Sequence, residues 1–297
     1  MSYHNPVLLF ESVDGLDIIP NGIYIDVTFG GGGHSREILK RLGPEGKLFA
    51  FDQDEDALKN TIDDDRFVLI HENFRYIKRF LKFYQVHKVN GILADLGVSS
   101  HQFDKASRGF STRFDADLDM RMSKNIEISA FEIINRYKEE KLNSILFLYG
   151  ELRNAKALAN QIVESRKEAP IKTSFELKEA LQRFLPKSKE NKILAQIFQA
   201  IRIEVNQELE ALKEFLVQAE ELLEPGGKLS VISYHSLEDR LVKRFIRSGI
   251  FEGEPEKDFY GNIQVPFKKG KLITPTQEEI RRNNRARSAK LRIATKL

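Results

Sequence analysis

The fold is decided by residues 23–35, which read Ile23-Tyr24-Ile25-Asp26-Val27-Thr28-Phe29-Gly30-Gly31-Gly32-Gly33-His34-Ser35. The first five residues predict a buried β-strand, and Ser35 to Leu42 predict a helix that ends before Gly43-Pro44. Consecutive glycines allow a sharp turn and let a ligand approach the backbone closely. Because the first N–H groups of a helix lack partners within it, the turn predicts a binding site for a polar ligand.

The residues that follow extend this alternation of strands and helices. Further strands are predicted at Lys47–Phe51, Phe67–His71, Gly91–Leu96 and Lys228–Tyr234, and helices at Asp56–Thr61, Phe74–Phe83 and Ser236–Arg247. Strands that alternate with helices are typical of a parallel sheet, so we expect an α/β fold.

A long helical segment interrupts the pattern. Between about Ala106 and Leu223 no strand is predicted, and Thr173-Ser174-Phe175-Glu176 is a capping box that opens a helix. We therefore predict a discontinuous α/β domain formed by residues 1–105 and 201–297. The inserted all-helical domain is predicted at residues 106–200.

An acidic residue, Asp52, ends the second predicted strand, 19 positions after Gly33. A carboxylate at about this distance from a glycine-rich loop is placed to hold ribose hydroxyls. In the dinucleotide pattern G-x-G-x-x-G counted from Gly30, however, the third glycine would fall on Ser35, and a P-loop lysine is missing. The loop therefore favours a nucleoside cofactor without pyrophosphate, namely S-adenosylmethionine. An NAD-dependent oxidoreductase and a plain tight turn remain alternatives.

Two residues near this loop have open roles. Asp26 either holds the loop or binds the amine of a cofactor. Phe74 follows the third strand, where an aromatic ring either covers an adenine or packs between sheet and helix.

The loop after the fourth strand carries the candidate catalytic groups. Asp95, Ser99, Ser100 and Gln102 follow that strand directly, and ligands of open α/β sheets bind at the carboxyl ends of the strands. We expect Asp95 and the serine hydroxyls to accept hydrogen bonds from an exocyclic amine and so localise its lone pair. The alternative is a polar loop that satisfies its own backbone. The Asp/Asn-Pro-Pro-Tyr tetrad of amino methyltransferases is absent.

His235 ends the last predicted strand at the same edge of the sheet. It either contacts substrate and moves a proton or is a structural histidine. Ser236 and Asp239 are predicted to cap the helix that follows.

Composition excludes several classes of protein. The 297 residues include no cysteine, which excludes disulfides and thiolate metal sites, and no metal site is predicted. With no signal peptide pattern and no apolar run of about 20 residues, we expect a cytoplasmic protein without a membrane span.

The net charge is +3, but residues 266–297 hold ten Lys or Arg and two Glu. This basic tail predicts contact with RNA phosphates, with a solvated, frayed tail as the alternative. We expect that removing residues 281–297 leaves cofactor binding intact. A non-catalytic RNA-binding module also fits these features.

Ordered motifs along the whole chain resemble the RsmH (MraW) family of small-subunit ribosomal RNA cytosine-N4 methyltransferases. The motifs are His4–Leu9, Gly30–Ser35, Asp52–Asp54, Asp95–Ser100, Arg108–Ser111, Leu118–Met122, Phe198–Ile203 with Val205-Asn206, Tyr234–Arg240 and Arg285–Arg292. The sequence departs from the family pattern at Ser123, Lys192–Gln196 and Asn284.

The resemblance implies a class I methyltransferase domain with an inserted helical domain that helps recognise RNA. It implies that S-adenosylmethionine contacts Gly32, Gly33, His34, Asp52, Phe74, Asp95 and Gln102. The substrate it implies is a cytosine near the decoding site of the small ribosomal subunit, methylated on N4, with Asp95, Ser99 and His235 as the candidate catalytic residues. The RNA partner is either free or part of an assembling particle.

Overall fold

The computed structural model describes residues 6–99, 102–103, 105, 108–261 and 263–297. The chain divides into two compact units. The first comprises residues 1–97 and 209–297, and the second comprises residues 98–208.

A single mixed sheet forms the centre of the first unit. Its seven strands are β1 (Ile23–Asp26), β2 (Lys47–Asp52), β3 (Phe67–His71), β4 (Val89–Asp95), β5 (Leu223–Ser233), β6 (Phe267–Ile273) and β7 (Lys290–Lys296). The order across the sheet is β3-β2-β1-β4-β5-β7-β6. Neighbours from β3 to β5 are parallel, whereas β7 is antiparallel to both β5 and β6. The predicted α/β fold is confirmed.

The helices lie between the strands and in the second unit. The α-helices are α1 (Leu9–Asp14), α2 (Gly33–Arg41), α3 (Ile77–Phe83), α4 (Ala130–Arg136), α5 (Glu139–Leu148), α6 (Ala155–Glu168), α7 (Ser174–Ala180), α8 (Glu190–Asn206), α9 (Glu208–Leu222), α10 (Ser236–Ser248) and α11 (Gln277–Arg282). Short 3-10 helices are formed by Glu55–Asn60, Phe74–Tyr76, Gln182–Phe184 and Asn284–Ser288. Within the described part of the chain, every helix is too short or too polar to cross a bilayer.

Both faces of the sheet are covered, because side chains alternate along each strand. From β1, Ile25 points into a core shared with α3, α9 and α10. Tyr24 points to the opposite face, where α1 and α2 pack. The central strands β1, β2 and β4 are therefore largely buried on both sides, whereas β6 is mostly exposed. Polar side chains collect at the carboxyl ends of the parallel strands, where the strands are followed by loops.

The second unit has its own apolar core, to which α4 to α8 contribute. Among its described residues the extended pairing is limited to one isolated bridge between Asp117 and Thr173. The capping box predicted at Thr173 is present, since its side chain accepts from the N–H of Glu176 and the Glu176 carboxylate accepts in return. The unit is wider than the predicted 106–200, because Val98 packs on its core and α8 continues to Asn206.

A buried asparagine joins the beginning and the end of the second unit. The side-chain N–H of Asn206 donates to the carbonyl of Met120 over 2.8 Å, and its Oδ1 accepts from the N–H of Met122, also over 2.8 Å. The end of α8 is thereby fixed to the segment before α4.

The alternative of a solvated, frayed tail is wrong for the end of residues 281–297. Residues 290–296 form β7, which lies between β5 and β6 rather than in solvent, and Leu291 and Ala294 are buried. Removing them would expose the inner edges of both neighbouring strands. A truncation of this segment therefore tests folding and not RNA binding alone.

Candidate functional site

The glycine loop connects β1 to α2 in a conformation that glycine favours. Gly30 has a φ of 52° and Gly32 a φ of 74°, both in the left-handed region. Helix α2 begins at Gly33 without a side-chain cap, so its first N–H groups lack side-chain partners. A Cβ on Gly33 would lie 2.1 Å from Cγ of Pro6, which explains the absence of a side chain there by close packing.

Asp26 stabilises this loop from within. It is fully buried, its Oδ1 accepts from the N–H of Thr28 over 3.1 Å, and its Oδ2 accepts from the hydroxyl of Ser35 over 2.6 Å. Burial raises the pKa of Asp26 above its usual range. Asp26 was predicted either to hold the loop or to bind the amine of a cofactor, and these contacts are those of a residue that holds the loop.

Asp52 connects the end of β2 to the same loop. Its Oδ2 accepts from the N–H of Gly30 over 2.7 Å, and its Oδ1 accepts from the N–H of Asp54 over 2.8 Å. Burial raises the pKa of Asp52 to about 6, although these two N–H groups oppose the rise. Each carboxylate oxygen has a second lone pair, so Asp52 can still accept from a ligand hydroxyl.

Asp95, at the end of β4, is held by groups from two other parts of the sheet. Its N–H donates to Thr28 Oγ1 over 2.6 Å, and the hydroxyl of Tyr234 donates to its Oδ1 over 2.7 Å. Its Oδ2 lies 3.9 Å from Nδ1 of His34. Burial raises the pKa of Asp95 to about 6, while His34 and Tyr234 lower it.

Tyr234 is a site residue that the sequence analysis missed. Burial and the Asp95 carboxylate raise the pKa of its hydroxyl well above the usual range, so the group keeps its proton and acts as a donor. The structure brings Tyr234 to Asp95 through strand pairing, because Ile232 faces Asp95 in the sheet and Tyr234 lies two residues further along the chain.

His34 lies between the glycine loop and Asp95. The ring is buried, and its Nε2 is 3.3 Å from the carbonyl oxygen of Val7. Since a carbonyl only accepts, this contact requires the proton on Nε2.

Phe74 begins the 3-10 helix after β3 and remains partly exposed. Its ring packs edge-on against Phe215, with centroids 5.4 Å apart. The predicted packing of Phe74 between sheet and helix is therefore present, and part of the ring remains exposed to solvent.

Ser99 and Gln102 belong to the second unit and bind each other. The N–H of Ser99 donates to Oε1 of Gln102 over 3.0 Å, and the N–H of Gln102 donates to Oγ of Ser99 over 3.2 Å. Both side chains thus satisfy their own loop, as the alternative interpretation expected. Ser100, also a candidate, lies outside the described residues, as do His4 and Asn5 of the first motif.

His235 has a structural role that the sequence analysis assigned to its neighbour. It is the N-cap of α10, its side chain accepts from the N–H of Glu238, and the Glu238 carboxylate accepts from the N–H of His235. The predicted cap at Ser236 was wrong by one residue, because His235 has the extended backbone of a cap and Glu238 is then at the third helical position.

The sequence matches the MraW methylase family over residues 1–297. The chain belongs to this family. It is therefore an S-adenosylmethionine-dependent methyltransferase with a class I sheet, which confirms the predicted enzyme class, cofactor and family and removes the oxidoreductase alternative.

Similar proteins of the MraW methylase family carry one name. The "Ribosomal RNA small subunit methyltransferase H" of Christiangramia forsetii is 70% identical over 298 residues, which cover 100% of this chain and 99% of that protein. The protein of the same name from Flavobacterium johnsoniae is 68% identical with the same coverage. That of Bacteroides thetaiotaomicron is 55% identical and covers 100% of this chain and 98% of its own length.

Proposed function

We propose that this methylase transfers a methyl group to N4 of a cytosine in small-subunit ribosomal RNA, near the decoding site. The names of its relatives support the RNA, and the family resemblance supports the base and atom. The observation that carries the proposal is Asp95, a carboxylate held at the end of β4 with one oxygen bound to Tyr234. Its other oxygen remains available to accept from an exocyclic amine.

The residues around the glycine loop fit S-adenosylmethionine by the chemistry of their donors and acceptors. The uncapped start of α2, at Gly33 and His34 after Gly32, offers N–H groups to a carboxylate. Asp52 offers acceptors to ribose hydroxyls, and the exposed part of Phe74 offers a surface to adenine. Asp95 and Gln102 complete the proposed cofactor set.

Asp95 has the properties that methylation of an amine requires. Bound S-adenosylmethionine supplies a methyl group on a sulfonium, whose sulfur keeps the bonding pair when the methyl leaves. The amine lone pair of cytosine is conjugated with the ring, and a carboxylate that accepts from its N–H increases the electron density on nitrogen. The nitrogen forms the new bond to carbon with this pair and then loses one proton. With a pKa of about 6, Asp95 is ionised at neutral pH and can take that proton and pass it to water.

In addition to Asp95, Ser99 and His235 remain proposed catalytic residues. Each already makes contacts that stabilise its own segment. We also propose that the second unit, residues 98–208, helps recognise the RNA, either free or in an assembling particle.

The experiment is tritium transfer to small-subunit RNA, followed by mass mapping of the modified nucleotide. We expect N4-methylcytosine as the product and a loss of turnover of about a hundredfold in Asp95→Asn, because the amide nitrogen repels the substrate N–H. The affinity for S-adenosylhomocysteine should change less than turnover. The matched control is Asp14→Asn, an exposed carboxylate of the same unit. Full turnover in Asp95→Asn would remove Asp95 from the proposal, and a product other than N4-methylcytosine would overturn the assignment of the atom.

A further inference from the structure

A cavity of about 500 Å³ lies in the first unit, beside the end of β5. Its lining includes Tyr234, His235 and Ser236 after β5, and Thr274, Arg287 and Lys290 from the C-terminal segment. Its volume lies within the range of small-ligand pockets, which is about 300–1,000 Å³.

The cavity adjoins the proposed methylation site through one shared side chain. Tyr234 lines the cavity, and its hydroxyl donates to Asp95 over 2.7 Å. A base positioned at Asp95 therefore has this cavity as its neighbour on the side of β5. A ligand that occupies both places must be longer than a single nucleoside.

The charge of the cavity comes from the segment that the sequence analysis singled out as basic. The side chain of Arg287 is exposed and makes no hydrogen bond or ion pair with any residue that the structure describes. A guanidinium at a cavity wall with its N–H groups unused is suited to a phosphate, which it binds through two parallel N–H donors.

Lys290 adds a second cation whose charge is only partly used. Its Nζ lies 3.2 Å from Oδ2 of Asp239, but Asp239 is also bound by Arg292 at 2.7 Å. The two acids of α11 are engaged as well, since Oε1 of Glu279 accepts from the N–H of Leu8 over 2.7 Å and Glu278 pairs with Arg282. The acids around the cavity thus have partners, while Arg287 is available to a ligand.

We propose that this cavity is a nucleotide subsite, which binds the phosphate-linked neighbour of the target base and holds the linking phosphate at Arg287. The inference rests on the proposed RNA substrate, because only linked nucleotides would occupy the site at Asp95 and the cavity at the same time. It also gives the basic C-terminal segment an RNA-binding function while β7 stays paired in the sheet.

The test compares Arg287→Gln with Arg281→Gln, an exposed arginine of α11 that does not line the cavity. Both variants lose one positive charge from the same segment, so a general effect of charge appears in both. For Arg287→Gln we expect the KM for small-subunit RNA to rise about tenfold, with kcat and the Kd for S-adenosylhomocysteine unchanged. The slope of log K against log salt for RNA binding should fall by about 0.7. The melting temperatures of both variants should equal that of the wild type, since both side chains are exposed.

The outcomes separate this inference from the proposed function. If Arg287→Gln and Arg281→Gln behave alike in KM and salt slope, the subsite is wrong even when the wild type methylates RNA. If the wild type transfers no methyl group to RNA, the proposed function fails. If Arg287→Gln alone then still lowers the salt slope of RNA binding, the phosphate contact at Arg287 stands.

Discussion

The carboxylate of Asp95 is oriented before any substrate arrives. Its backbone is fixed by Thr28 on the β1 side and its Oδ1 by Tyr234 on the β5 side. A group that must accept from one N–H in one direction benefits from this arrangement, because little reorganisation is needed during the reaction. Tyr234 also stabilises the ionised form of Asp95, so it influences both geometry and protonation.

Replacing Tyr234 by phenylalanine separates these effects from simple packing. In Tyr234→Phe the lost hydrogen bond should raise the pKa of Asp95 further above about 6. The acid limb of the kcat profile should therefore move to higher pH, and kcat at neutral pH should fall about tenfold. Steady-state methyl transfer between pH 5 and 9 measures both changes.

The matched control is Tyr24→Phe, another buried tyrosine whose hydroxyl accepts from the N–H of Ile19. It should lower the melting temperature without moving the pH profile. If Tyr234→Phe leaves the acid limb where it is in the wild type, the hydroxyl does not control Asp95.

Asp52 and Asp95 should make stability and activity respond to pH in opposite directions. Both have a pKa of about 6 in the folded protein, against 3.8 for an ordinary Asp. Between these values the folded state binds protons that the unfolded chain does not, so their contribution to stability grows as the pH falls from about 7 to about 4. Cofactor affinity and turnover should fall over the same window, because each proposed role requires the ionised carboxylate.

The double variant Asp52→Asn/Asp95→Asn removes both titrations. Melting temperatures of the wild type and the variant are measured at several pH values. The titration of the other acids is common to both proteins and cancels in the difference. We expect the wild type to gain stability relative to the variant as the pH falls from 7 to 5. A constant difference would mean that neither carboxyl has a raised pKa.

At the level of elements, β7 shows how charge can conceal a strand. Residues 290–296 alternate between charged and apolar side chains at their start, Lys290-Leu291-Arg292-Ile293, which is a strand pattern. The excess of basic residues from 266 onward favoured contact with RNA phosphates over a solvated, frayed tail, and no strand was predicted there. The cations are instead accommodated within the sheet, since Arg292 and Lys290 pair with Asp239 of α10.

Leu291→Ala tests whether β7 is part of the folded core. Leu291 is fully buried and belongs to a cluster with Val7, Leu8 and Ile232. We expect a loss of about 2–4 kcal/mol in the free energy of unfolding, because the cavity is created inside a packed region. Chemical denaturation measures this loss. Lys268→Ala on exposed β6 is the control and should change stability by less than about 0.5 kcal/mol. Equal stability of both variants would return the segment to the status of a tail.

Over the whole molecule, local patterns were predictable and contacts between distant segments were not. The bounds of β3, the alternation up to β4 and the capping box of α7 follow from neighbouring residues, as does the placement of Asp52 and Asp95 at strand ends. The contact of Tyr234 with Asp95 depends on β5 lying beside β4, and it joins residues 139 positions apart. The packing of Pro6 on Gly33 likewise depends on where the first residues of the chain return.

Asn206 has a consequence for the speed of folding. Strands β4 and β5 are neighbours, although their facing residues Asp95 and Ile232 are more than a hundred residues apart. Closing so long an unstructured loop costs about 2 kcal/mol more entropy than closing one of about ten residues. The bonds of Asn206 to Met120 and Met122 shorten the loop, provided that the second unit forms first.

We therefore expect Asn206→Ala to slow refolding, by about tenfold, more than it accelerates unfolding. Stopped-flow refolding and unfolding measure the two rates, with Asn160→Ala, an exposed asparagine of the same unit, as the control. If the whole effect falls on unfolding, the bonds form late. If it falls on refolding, residues 98–208 organise early and then bring β5 to its place beside β4, so the inserted segment assists the assembly of the sheet that it interrupts.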